Sequence, residues 1–101
     1  MASRVYRVII GDDARNMFNE HINFLARVSS SAARVLRTDL HAKIRGLGKT
    51  PFLYPIYELS DIEVEYRKLT YKRYVVLYTI DESEKCVYVE YVWDTRMDNK
   101  L

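Results

Sequence analysis

Three consecutive serines, at positions 29–31, join two stretches whose apolar residues recur at three-and-four spacing. Ala14, Met17, Phe18, Ile22, Leu25 and Val28 mark the first stretch, and Val35, Leu36, Leu40, Ile44 and Leu47 the second. Each stretch reads as a half-buried helix. The first helix spans about 13–28, with Asp12 or Asp13 able to cap it. The second begins at the serines and ends near Gly46 or Gly48. A linker this short forces the two helices back on each other as an antiparallel hairpin, with both apolar stripes facing a common core.

The remaining segments supply that core with strands. Residues 5–10 are β-branched and aromatic, and Gly11 ends them. After the hairpin, residues 62–69, 74–80 and 85–94 are strand-like, and the last two runs are joined by the polar turn DESEK. Between hairpin and meander lies TPFLYPIYELSD, where Pro51 and Pro55 oppose both helix and central strand. This segment is expected to be irregular and to pack over a core edge. The order strand, helix, helix, strand, strand, strand predicts a two-layer α+β fold, with the helical hairpin on one face of a mainly antiparallel four-stranded sheet. A length of 101 residues predicts a single domain over 1–101.

Apolar residues at 49% and charged residues at 30% fit a globular chain and argue against disorder. The net charge of +2 is too small to imply a nucleic-acid partner by itself, so the electrostatic signal is local. Four acids and no cation occupy 58–65, whereas Arg67, Lys68, Lys72 and Arg73 stand among the tyrosines of 66–78 without an acid. The single cysteine, Cys86, excludes an internal disulfide and a multi-cysteine metal site. The start MASRVYRVII has too short an apolar run for a signal peptide, and no stretch approaches the ~18 apolar residues of a membrane span. A cytoplasmic location is expected.

Strict alternation assigns faces. In the last strand Val87, Val89, Tyr91 and Trp93 share the face expected to meet the helices, and Tyr88, Glu90, Val92, Asp94 and Arg96 share the other. Ile62, Val64 and Tyr66 alternate with Glu63, Glu65 and Arg67. Arg67 and Arg96 are therefore expected on one exposed sheet face near Glu90 and Asp94, provided that no bulge intervenes. The middle strand is apolar on both faces, so part of the helix-free face is expected to be covered by a partner chain.

Other candidates are weak. His21 and His41 lie too far apart for a local metal motif, and Cys86 has neither an adjacent base nor a second cysteine. With three glycines and no phosphate-loop or zinc pattern, no cofactor is expected. Tyr71, in the basic turn, is the tyrosine best placed for stacking or partner contact.

The order of elements, the phrase YRKL followed by YVVLYTID, and the ending VYVEYVWDTRMD resemble the RelE/ParE superfamily of toxins from bacterial type II toxin-antitoxin modules. The resemblance implies growth inhibition and plasmid stabilisation by a toxin held inactive by a cognate antitoxin, whose extended tail wraps it. It implies no membrane partner, and DNA only through the antitoxin. One branch of the superfamily cleaves messenger RNA on the ribosome without metal, and the other poisons DNA gyrase. Arg67 and Arg96 match the arginines of the nuclease branch, with Glu90 and Asp94 as weaker candidates. A tyrosine or histidine usually follows the last arginine in that branch, and here Met97, Asp98, Asn99, Lys100 and Leu101 follow instead. A carboxylate beside two arginines is more simply an ion-pair partner than a base.

The gyrase branch needs a surface and no catalytic set, and tends to have a long helical hairpin. Arg34, Arg37, Lys43 and Arg45 are available to an acidic partner there, or form a solvated face. The expectation is a ParE-type inhibitor of gyrase, with Arg67, Lys68, Tyr71, Lys72, Arg73 and Arg96 meeting the partner. The alternatives are a ribosome-dependent endoribonuclease and an inactive antitoxin-binding domain.

Overall fold

The computed structural model describes residues 5–58 and 63–96. Its elements are β1 (Arg7–Ile10), α1 (Asp12–Ala26), α2 (Ser30–Gly46), β2 (Ile56–Tyr57), β3 (Tyr66–Tyr71), β4 (Tyr74–Asp81) and β5 (Cys86–Asp94). Asp12 and Asp13 lie in the first turn of α1, where their charge suits the helix dipole, and the N-cap is Gly11. Ser29 caps α2, its Oγ accepting the Ala32 N–H at 3.1 Å. Phe18 and Ile22 of α1 join Leu36, Leu40 and Ile44 of α2 in one core with the sheet.

The five strands run in the order β1-β5-β4-β3-β2. β1 is parallel to β5, and every other pair is antiparallel. The expectation of four strands falls one short, because Ile56 and Tyr57 add a short edge strand beside Arg67 and Tyr66. Proline tolerates such an edge: Pro55 has no N–H to offer, and its carbonyl accepts the Lys68 N–H at 2.9 Å. The start expected for β3, at Ile62, lies outside the described residues, as do the residues 97–101 that follow Arg96.

At the far edge, the Tyr6 N–H donates to the Gly48 carbonyl at 2.8 Å. A Cβ at position 48 would sit 2.7 Å from the Tyr6 carbonyl oxygen, so this passage of the chain beneath β1 requires glycine.

One irregularity redistributes the faces. β4 pairs Leu77 with Tyr91 but Tyr78 with Val89, so Glu90 is an extra residue in β5, a β-bulge. Alternation holds to Val89 and then slips by one. Val87, Val89, Val92 and Asp94 face the helices, in register with core residues of β4, and Tyr91 and Trp93 face away. The uninterrupted assignment of Tyr91 and Trp93 to the helix side is thus corrected by the bulge.

The bulge also answers the apolar second face of β4. Val75 is 8% exposed and Leu77 0%, yet neither belongs to the helix-side core. Their cross-strand neighbours include Trp93 and Tyr91. The Tyr91 ring lies 5.7 Å from Trp93 and 6.2 Å from Tyr66, and Trp93 meets Tyr57 edge-on at 6.4 Å. The chain's own rings cover the surface for which a partner was expected.

Candidate functional site

Arg67 pairs with Tyr78 and therefore faces the helix side, not the bare face. Its Nη1 donates to the Tyr54 carbonyl at 2.6 Å and to the Phe52 carbonyl at 3.5 Å. The guanidinium lies 5.1 Å from the Phe52 ring centre, and Glu65 approaches it at 3.8 Å. Beneath it the Tyr78 hydroxyl donates to the Pro51 carbonyl at 2.7 Å. Burial pushes the Tyr78 phenol up to about 12, with the Arg67 charge pulling the other way. Arg67 and Tyr78 together clamp the proline-bounded segment onto the sheet.

Arg96 belongs to a different neighbourhood. Its Nη2 lies 3.5 Å from Asp94 Oδ2, its backbone N–H donates to Asp94 Oδ1 at 2.9 Å, and Arg73 Nε approaches Asp94 Oδ2 at 3.8 Å. Thr95 ties the same corner, donating from both N–H and Oγ1 to the Arg73 carbonyl at 2.7 and 2.9 Å. Asp94 is almost completely buried, while the Arg96 and Arg73 side chains are 54% and 35% exposed. A carboxylate held by two guanidiniums and an amide fixes those cations in place, and their outer N–H groups remain available to an anion.

These cations rim a groove. Leu25, Val35 and Leu36 of the hairpin face Tyr71, Lys72, Arg73 and Tyr74 across a cleft of about 460 Å³. Leu25 and Arg73 are shared with a second hollow of about 530 Å³, reaching Phe24, Val28 and Arg96. Phe24, Val28 and Val35 are 55%, 79% and 51% exposed, so the groove has apolar lips as well as a cationic rim. Tyr71 forms a wall: its hydroxyl donates to Asp39 Oδ2 at 2.9 Å, and Lys43 and Lys72 lie over its ring at 5.9 and 5.4 Å. Burial and Asp39 both raise its phenol above the ordinary range.

Of the residues singled out in the sequence, Tyr71, Lys72, Arg73 and Arg96 converge on this groove. Arg67 does not: Tyr78 and Tyr74, the β4 partners of Arg67 and Asp94, are four residues apart, and two strand spacings intervene. The Arg67 backbone is therefore roughly 16 Å from Asp94. Lys68 lies on the helix-free face over the Tyr57 ring at 5.4 Å, and Glu90 occupies the bulge.

The apolar lips are the part that periodicity misassigned. Val28 and Val35 counted as core stripe, although Val35 stands about 100° or more around the helix from Leu36, Leu40 and Ile44.

The remaining candidates have local partners. His21 Nε2 lies 2.8 Å from the Val92 carbonyl, with its ring 5.5 Å from Tyr74. His41 is exposed. Cys86 is buried and accepts from Arg7 Nη2 at 3.3 Å, a contact that raises the Arg7 guanidinium further. Among the described residues no group of His, Cys, Asp and Glu could hold a metal ion, and no helix is long and apolar enough to cross a membrane.

With the geometry in place, comparisons with known proteins place the chain. No curated protein matches it in sequence. Its structure is similar to a chain of the toxin-antitoxin complex RelBE2 from Mycobacterium tuberculosis, at 17% identity and a TM-score of 0.64, covering 92% of this chain and 94% of that one. At that identity the likeness speaks for the fold. Residues 8–99 match the family model described as the ParE toxin of the type II toxin-antitoxin system parDE. The chain belongs to this family of ParE toxins.

Proposed function

We propose that the chain arrests growth by occupying a target, DNA gyrase, and not by cutting RNA. We also propose that a cognate antitoxin silences it by laying an acidic, partly apolar tail along the groove of Tyr71, Lys72, Arg73 and Arg96. The observation that carries the first half is the separation of Arg67 from Arg96. A metal-free ribonuclease needs cations converging on one phosphate, with an acid and a base beside them. Here Arg67 is committed to the Phe52 and Tyr54 carbonyls, some 16 Å of backbone from the Asp94–Arg96 corner. Asp94 is taken up by two ion pairs.

The second half rests on complementarity. Exposed Phe24, Val28 and Val35 offer anchoring contacts, and Lys72, Arg73 and Arg96 offer charge. The RelBE2 structure is itself a toxin-antitoxin complex.

The test is induced expression with and without the neighbouring open reading frame, followed by messenger RNA integrity and plasmid supercoiling. Intact RNA with altered supercoiling is expected, and fragmented RNA would overturn the reading. For the antitoxin, Arg73→Ala with Arg96→Ala is expected to weaken binding at least tenfold. Unchanged affinity would move its seat elsewhere.

A further inference from the structure

We infer that the outer groove between α1 and α2 binds the phosphate backbone of duplex DNA. This trough of about 630 Å³ lies along the later turns of α2 and shares no lining residue with the partner groove. Ile10, Phe18 and Ala42 form its floor. Arg15 and Asn19 rise on the α1 side, and Arg37, Thr38 and His41 on the α2 side. No carboxylate lines it.

Two observations point to an anion. First, five arginines are held internally, Arg7 on Cys86, Arg45 on the Val8 carbonyl, Arg67 on the Phe52 and Tyr54 carbonyls, and Arg73 and Arg96 on Asp94, whereas the helix arginines Arg27 and Arg34 are not. Arg15 and Arg37, like Asn19, Thr38 and His41, make no side-chain hydrogen bond or ion pair among the described residues. Second, no acid of the two helices lines the trough. Asp12 and Asp13 sit in the first turn of α1, Glu20 lines a separate hollow with His21, and Asp39 accepts from Tyr71. The lining therefore carries positive charge only, with donors on both walls.

The layout selects a chain of phosphates over one enclosed phosphate. Arg34, one turn before Arg37 on the same helix, extends the cations past the end of the trough. From Arg34 to His41 the rise is about 10.5 Å, matching the axial rise of about three phosphates of one strand. A protein partner is disfavoured by the same comparison: Phe18 is only 7% exposed, and nothing here resembles the apolar lips of the other groove. Nucleic-acid contacts are polar, cationic surfaces of this kind. The inference stands apart from the choice of target, because it concerns a different groove and is measured without gyrase.

Titration of the full-length chain against a short labelled DNA duplex, by fluorescence anisotropy between about 50 and 200 mM salt, tests it. Three phosphate contacts, from Arg15, Arg34 and Arg37, predict a slope of log affinity on log salt near −2.7. Arg15→Gln with Arg37→Gln should reduce the slope to about −0.9 and weaken binding at least tenfold at the lower salt. Arg27→Gln with Lys49→Gln removes equal charge elsewhere and should leave the slope near its original value. An equal loss in that control, no binding by the native chain, or displacement of the duplex by an equimolar mononucleotide would each overturn the inference.

Discussion

Tyr78 brings a phenolic hydroxyl into a fully buried place, where it donates to the Pro51 carbonyl. With its folded value near 12 and an ordinary value near 10, the folded state holds this proton more tightly than the unfolded chain does. The contribution is fully present below pH 10 and disappears as pH rises from about 10 to 12, amounting to roughly 3 kcal/mol. Tyrosinate absorbance during alkaline unfolding should show this step, and Tyr78→Phe should abolish it. The same variant strands the Pro51 carbonyl, at a cost of about 1–3 kcal/mol at neutral pH measured by denaturant melting. Arg67 answers to similar logic. Arg67→Lys keeps the charge but loses the planar guanidinium that lies over the Phe52 ring and reaches the Tyr54 carbonyl, so a loss of about 1–2 kcal/mol is expected where a charge-only role would give none.

At the scale of elements, two backbone features decide where side chains go. Lys72 adopts φ 54° in the two-residue connection from β3 to β4, a left-handed conformation that glycine holds more cheaply. Lys72→Gly should therefore raise stability by about 1 kcal/mol in a thermal melt while weakening the antitoxin complex, the opposite signs expected when strain serves a contact. The bulge at Glu90 is the second feature. Glu90→Ala keeps the extra residue and should change stability by less than about 0.5 kcal/mol. Deleting Glu90 would make Val89–Tyr78 and Tyr91–Leu77 consecutive pairs of a regular ladder and leave Tyr91, Val92, Trp93 and Asp94 on their present faces, so that chain is expected to keep a cooperative unfolding transition in a denaturant melt.

The bulge limits what could be read from residues alone. The hairpin and the meander rest on local periods of 3.6 and 2, which Leu36, Leu40, Ile44 and the apolar β4 display directly. A bulge is a pairing mismatch between two strands, so nothing in CVYVEYVWD by itself marks Glu90 as extra. The cations of the site were visible as residues. Their sorting was not, because a tight turn carries Lys72 and Arg73 to one end of the sheet while Arg67 pairs at the other.

Across the whole molecule, α2 contributes to both grooves. Val35 and Leu36 line the groove proposed for the antitoxin, and Arg37 and His41, on the turns that follow, line the trough proposed for DNA. Because Leu40 and Ile44 lock the helix into the core, neither groove's α2 wall can move without unpacking it. Occupancy of one should leave the other unchanged. A double-mutant cycle between Arg73→Ala with Arg96→Ala and Arg15→Gln with Arg37→Gln should be additive within about 0.5 kcal/mol, for antitoxin affinity and for duplex affinity alike. A larger coupling energy in either measurement would mean that one ligand bridges the two grooves, which their separate lining residues argue against.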